Sequence, residues 1–392
     1  NSIVCVVAFL AAPVLAAPMY SSGAGGPYVW DNATTPVWSA TSGGPYTSPF
    51  GAYNDAVFEG AGTTVTVASA NANGVSFTTD GYALTGGTLT MGSPAGGPTI
   101  SVGAGLNAGI ASTIAKAGGG TTLHKSGAGS LSLSSPSVSL DHLHVDQGQL
   151  SFSGGSMSIS GANFLLGNTG LNASYLQSAG TVAHAGIVYL ANNGGFSQMD
   201  ITGGSLTAGG ELCVGTRGGA TLAVSGDGAM NVNGMIMGHS AGGAARDTVV
   251  TIADNGQLNV TGGNIIFSNN AAANSQFTQT GGSFTFGGGG YFYMGNMGAP
   301  TQSVDISGGT FTASTTGAIY LAVRGTASFT VGGDAEVSLR ELGIGHGGTT
   351  GATGIVNLDG GRLTLGRIFE NSGGHHGIVN FNGGVLRASA PS

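Results

Sequence analysis

Phe277-Thr278-Gln279-Thr280-Gly281-Gly282-Ser283-Phe284-Thr285-Phe286 returns 27 residues later as Val304-Asp305-Ile306-Ser307-Gly308-Gly309-Thr310-Phe311-Thr312-Ala313. In both stretches a short apolar-polar-apolar run ends in a Gly-Gly turn, and a second run begins two residues past the turn. Working outward, the same marker falls at Gly155, Gly180, Gly204, Gly228, Gly256, Gly282, Gly309, Ala335, Gly361 and Gly384, at intervals of 23 to 28 residues. Self-similarity at such a period is the signature of stacked repeats, in which each unit buries its apolar face only against its neighbours.

Within a unit the pattern resolves into three short strands. Two residues after the marker stand Leu206, Met230, Leu258, Phe284, Phe311, Val337, Leu363 and Leu386, and four after it Ala208, Val232, Val260, Phe286, Ala313, Leu339, Leu365 and Ala388. Between them, at offset three, run Thr207, Asn231, Asn259, Thr285, Thr312, Ser338 and Thr364. Alternation sends the first two sets inward and the third outward. A second strand follows, as in Leu212-Cys213-Val214 and Phe292-Tyr293-Met294, and then a third, as in Leu222-Ala223-Val224 and Val356-Asn357-Leu358. Three strands in about 25 residues leave no room for a helix, and a propeller blade needs four strands and about 40 residues. An up-and-down barrel is the alternative, but a meander needs no triplet period. The expected fold is therefore all-β: a right-handed parallel β-helix of about 25-residue, three-strand coils with an N-terminal cap.

Composition agrees with a repeat protein rather than an ordinary domain. Of 392 residues, 77 are Gly and 7% are charged, against roughly 25% charged in typical soluble domains. The 41% hydrophobic content falls in a regular pattern, which argues against disorder. Residues 1–16 read as a truncated signal peptide, with an apolar core from Ile3 to Leu15 too short to span a bilayer and a small-residue cleavage site at Val14-Leu15-Ala16. Cleavage removes Cys5 and leaves Cys213 without an intramolecular partner. Residues 17–95, with Trp30, Trp38 and most of the prolines, read as a cap and first coils, 96–154 as transitional coils and 155–392 as regular repeats whose end at Ala390-Pro391-Ser392 reads as a truncation.

Seventeen acidic against nine basic side chains, with no Lys/Arg cluster, exclude nucleic acid as the expected partner. As catalytic pairs the carboxylates fall short. Asp200 and Asp305 share an outward column but lie four coils apart, about 19 Å, too far for two-carboxylate chemistry. Asp227 with Asp254, and Asp334 with Asp359, are on adjacent coils in Gly- and Asn-rich turns, where Asp ordinarily bonds local backbone. Calcium would need about six oxygens, which no repeated Asp nonapeptide supplies. His239 and His346 fall in a turn column with Asn192, Asn269 and Asn296, again four coils apart. His375 and His376 point to opposite faces of a strand, and His184 falls in an inward column. This reading assigns no catalytic residue, no metal and no cofactor. It expects the Thr/Asn/Ser ladder at offset three to face any glycan, with Tyr291, Tyr293 and Tyr320 available for stacking. The ladder lacks the regular Thr-x-Thr face of an ice-binding surface, since Glu336 and Arg362 interrupt the column beside it. Those two equivalent outward positions are expected within salt-bridge reach.

Leu123-His124-Lys125-Ser126-Gly127-Ala128-Gly129-Ser130-Leu131-Ser132-Leu133 resembles the short glycine-rich repeat of bacterial autotransporter-like passenger regions. The opening from Trp30 through Trp38 to Asn54-Asp55-Ala56-Val57-Phe58, and units such as Phe277 to Phe284, are similar to the same proteins. The resemblance implies an exported, surface-displayed or shed bacterial β-helix. The expectation is a secreted or surface-displayed structural or adhesive scaffold with weak glycan binding, its partners extracellular polysaccharide or other cell-surface components. The alternative is a polysaccharide-active β-helical lyase or hydrolase.

Overall fold

A computed structural model describes residues 16–23, 26–92, 95–239, 246–269, 274–296, 301–313, 318–345, 351–370 and 374–389; the apolar run from Ile3 to Leu15 and His346 lie outside them. The described chain is strands, turns and bends without a helix, so none is present that is long and apolar enough to cross a membrane. Every strand-to-strand ladder is parallel, and strands away from the two ends pair with their counterparts one coil before and one coil after. The strands fall into three columns. Sheet 1 holds those that follow the marker, such as Thr181–His184, Ser205–Ala208 and Ala229–Val232; sheet 2 holds Ile187–Leu190, Glu211–Val214 and Gly234–Met237; sheet 3 holds Ala173–Gln177, Phe196–Ile201 and Gly219–Val224. This is a parallel β-helix.

The marker register is the hydrogen-bonded register. Leu206 pairs with Met230, Met230 with Leu258, Leu258 with Phe284, Phe284 with Phe311, Phe311 with Val337, Val337 with Leu363 and Leu363 with Leu386. From Leu206 to Leu363 these side chains are at most 2% exposed and form one continuous core. Leu386 departs from the expectation at 53% exposed, and Ala388 is exposed with it. Both lie on His376–Ala388, the last described strand, which pairs on one side only and leaves its inward side chains uncovered from the other.

Two turn geometries bring the chain into sheet 1. At Gly282 and Gly309 the marker itself has a positive φ, and a Cβ there would meet the carbonyl oxygen of the preceding marker at 2.1 and 2.3 Å. Only glycine fits both constraints. In three other units the positive φ moves two residues upstream, to Gly226, Asp254 and Gly333, and the marker amide closes a tight turn by donating to the carbonyl three residues back. Those bonds run from Gly228 to Ser225, Gly256 to Ala253 and Ala335 to Gly332. The second geometry lifts the φ constraint that would bar Ala335, although at Gly228 and Gly256 a Cβ would still meet a carbonyl oxygen at 2.2 and 2.3 Å.

At the opposite end Pro18–Ser21 and Tyr28–Asp31 already pair in parallel with Asn54–Phe58 and Thr64–Phe77. The segment between folds back through antiparallel bridges, Tyr20 to Ser39 and Trp38 to Ser48, and lays Trp38 and Phe50 on Trp30 and Phe58. All four rings are fully buried, with centroids 4.7 to 5.5 Å apart. Aromatic closure of this kind removes an open apolar end from water. The columns run unbroken through 96–154, so the change at 155 is one of coil length: Leu123 to Leu143 is a 20-residue step, Met157 to Val182 a 25-residue one. One inward position there is charged. Lys125 stacks between Ile100 and Val145, 1% exposed, and its Nζ donates to the carbonyls of Gly127, Gly129 and Gln147 at 2.7, 2.6 and 2.9 Å. Burial pushes its pKa down to about 8, and three carbonyl acceptors hold the proton in place at neutral pH.

Candidate binding faces and a histidine cluster

Alternation along sheet 1 sets the polar ladder on one outer face. Thr207, Asn231, Asn259, Thr285, Thr312, Ser338 and Thr364 are successive register partners, half-buried to exposed, and Arg387 continues the column. Their polar groups turn partly along the column: Asn259 Nδ2 donates to Asn231 Oδ1 at 2.9 Å. The column beside it carries Glu336 and Arg362, paired at 3.2 Å with each side chain about half exposed, as the marker register predicts. Arg367 repeats the arrangement with Glu341 on sheet 2 at 3.1 Å.

The outward column of sheet 2 is aromatic toward one end. Tyr293 and Tyr320 are register partners with ring centroids 5.6 Å apart and planes inclined 26°, and Tyr291 stacks on Tyr293 at 5.3 Å and 25°. Tyr293 and Tyr320 therefore stack from coil to coil, and Tyr291 joins them from the coil of Tyr293. Tyr291, 46% exposed, and Tyr320 both pack on Tyr293 and lie 6.2 Å from each other, so the three rings form one outward cluster rather than a linear stack. Next in the column is Gly343, where a Cβ would come within 2.9 Å of Tyr320 and 3.0 Å of Phe369. A missing side chain thus lets those two rings approach across an intervening coil, and Arg367 lies over Phe369 at 4.3 Å.

The acidic pairs weighed for catalysis are each engaged with the neighbouring coil. Asp227 Oδ1 accepts from Asn255 Nδ2 at 3.0 Å, Asp254 Oδ2 from the Gly226 amide at 3.2 Å, and Asp359 Oδ1 from Asn382 Nδ2 at 2.7 Å. They occupy turns as the sequence suggests, but they bond across coils rather than to their own backbone. Asp334 lies exposed in the turn that Ala335 closes. Asp200 and Asp305 stand in one column through Ala223, Thr251 and Thr278, four steps apart. His239 joins a turn ladder in which Asn296 Nδ2 donates to Asn269 Oδ1 at 3.1 Å and Asn269 to the His239 carbonyl at 3.4 Å; Asn192 reaches Asn168 at 2.9 Å. His184 points inward, 4% exposed, its Nε2 3.0 Å from the Ile187 carbonyl. His375 is buried and His376 exposed, on opposite faces. Cys213 is a buried free thiol, its pKa pushed up to about 12 by burial and then by Glu211.

One cluster escaped the sequence reading. His124 and His144 are register partners on adjacent coils, both pointing outward on sheet 2, and Asp146 follows two residues later with the same outward phase. His124 Nδ1 lies 2.7 Å from Asp146 Oδ2, and the imidazoles meet edge to face at 4.8 Å. Asp146 is 8% exposed with Oδ1 unpartnered, and both ring nitrogens of His144 are buried without a partner. Orphaned buried groups of this kind cost about 1 to 3 kcal/mol each. Burial, then the neighbouring His124, pushes the His144 pKa down to about 4, so its imidazole is neutral near pH 7. The available signal was histidine recurring after 20 residues in Leu123-His124-Lys125 and Leu143-His144-Val145. Coils there are shorter than the marker interval and carry no marker, so spacing from Gly155 onward did not align them.

No family model matches this chain, and neither do any curated protein or solved structure. Its class rests on its own geometry, a parallel β-helix.

Proposed function

We propose that the protein is a structural or adhesive scaffold, exported and displayed or shed at a bacterial cell surface, that makes weak glycan contacts along the ladder from Thr207 to Thr364 and does not cleave polysaccharide. The observation that carries this reading is how the outer carboxylates are used. Asp227, Asp254, Asp359, Glu336 and Glu341 each meet an amide or a guanidinium of the adjacent coil. Two-carboxylate hydrolysis needs a pair held roughly 5 to 9.5 Å apart across one bond with their oxygens free to act. Carboxylates tied into coil-to-coil ladders serve the stack instead. The leader-like run from Ile3 to Leu15, the low charge and the resemblance to autotransporter-like passengers support export.

The test is a panel of neutral and acidic polysaccharides incubated with purified protein, with and without Ca²⁺. The expected result is no reducing ends or unsaturated products, with weak, saturable retention on some glycans that falls when Thr285, Thr312 and Thr364 are changed to Val. Turnover that disappears on changing Asp227 and Asp254, or Asp334 and Asp359, to Asn would replace the scaffold reading with the enzymatic one.

A further inference from the structure

We propose that His124, His144 and Asp146 form a three-donor site for a divalent transition-metal ion of the zinc class. The three residues can each present one donor atom, and those atoms all lie within 4.8 Å of one another. Two imidazoles and one carboxylate match the borderline ligand preference of zinc and its neighbours; calcium and magnesium favour all-oxygen shells. Donors about 2.1 Å from a tetrahedral ion stand roughly 3.4 Å apart. The set therefore has to close by little more than an ångström at its widest pair and open slightly at the 2.7 Å contact of His124 with Asp146. Rotation of side chains on fixed strands covers both changes.

The unligated arrangement leaves work for an ion to do. His144 Nδ1 and Nε2 and Asp146 Oδ1 are shut off from water with no hydrogen-bond partner, whereas Asn259 and Asp227 are tied to the neighbouring coil. A cation between the three gives one His144 nitrogen and the Asp146 carboxylate a partner and takes the place of the hydrogen bond between His124 and Asp146. The backbone holds the site on both sides. His124 and His144 are fixed by the sheet 2 ladder, and Asp146 by its amide, which donates to the Lys125 carbonyl at 2.9 Å, and by its own carbonyl, which accepts from Thr169 Oγ1 at 3.0 Å. Three protein donors leave a fourth tetrahedral position for water or an outside ligand.

The test uses the full chain without an affinity tag, stripped with chelator and titrated with Zn²⁺ by calorimetry, then with Co²⁺ as a spectroscopic probe. The proposal expects one Zn²⁺ per chain at micromolar affinity or tighter, and visible Co²⁺ bands of the intensity of a four- or five-coordinate centre. His124→Ala, His144→Ala and Asp146→Asn should each weaken binding at least tenfold, while His376→Ala, at an exposed histidine, leaves it unchanged. Should a variant fail to fold, the Co²⁺ spectrum of the unaltered chain still decides. Absence of saturable Zn²⁺ binding, a Co²⁺ spectrum indistinguishable from the aqueous ion, or stoichiometric binding that survives all three substitutions would each overturn the site.

Discussion

Glu336 and Arg362 set the scale of a single outer contact on this surface. The pair is well placed at 3.2 Å, yet each side chain is about half exposed, so water and salt screen most of the attraction. A double-mutant cycle should give a coupling of about 0 to 1 kcal/mol; several kcal/mol would mean a site far drier than its exposure implies. Inward residues behave differently. Phe311 is fully buried and stacks on Phe284 at 4.6 Å, so Phe311→Ala should cost about 3 to 5 kcal/mol in denaturant unfolding. Lys125 combines both regimes. Replacing it with Met removes a buried charge but strips the Gly127, Gly129 and Gln147 carbonyls of their common donor, and the loss of donors dominates. We expect Lys125→Met to lower stability by about 2 to 4 kcal/mol, since each unsatisfied buried acceptor costs about 1 to 3; a neutral or stabilising result would show that water replaces Nζ.

At the scale of the coil, the turn into sheet 1 decides which substitutions a unit tolerates. Gly309 combines a positive φ with a carbonyl 2.3 Å from where a Cβ would sit, whereas Ala335 closes a turn whose positive φ lies at Gly333. Gly309→Ala should therefore cost more than about 1 to 2 kcal/mol, and Ala335→Gly only about 0.5 to 1, read as shifts in urea midpoint. Equal costs would remove the distinction between the two geometries. A second coil-level device joins Lys116, Asp141, Ser160 and the Thr121 amide across successive coils. Lys116, then Ser160, hold the Asp141 carboxyl well below its ordinary 3.8. A carboxyl lowered by folding contributes stability above its unfolded pKa and loses it as the pH falls through the unfolded and then the folded value. The thermal midpoint should thus decline below about pH 4, and Asp141→Asn should flatten that decline.

Across the whole molecule, the fold was legible because the residues that make the turn also fix the register. A marker that must be glycine, or must follow a positive φ, places Leu258, Phe284 and Phe311 in one inward column whatever the loops between them do. The acidic turns were legible for the same reason. The histidine cluster was not, because His124 and His144 meet across a 20-residue coil lacking a marker and Asp146 joins them only through the following turn. The aromatic column was half legible: sequence places Tyr293 and Tyr320 outward, but the packing of Tyr291, Tyr293 and Tyr320 into one cluster depends on three-dimensional spacing.

The central claim is that successive units stack in register, one strand spacing per unit, and this is directly measurable. Spin labels on cysteines replacing Thr207, Thr312 or Thr364 in pairs, in a chain carrying Cys5→Ser and Cys213→Ala, sample one outer column at four and six steps. With strands about 4.8 Å apart, the account predicts dipolar distances centred near 19 Å for Thr207 with Thr312 and near 29 Å for Thr207 with Thr364, widened by the label linkers. Distances that fail to grow with the number of intervening units, or that curl back as in a closed barrel, would contradict it.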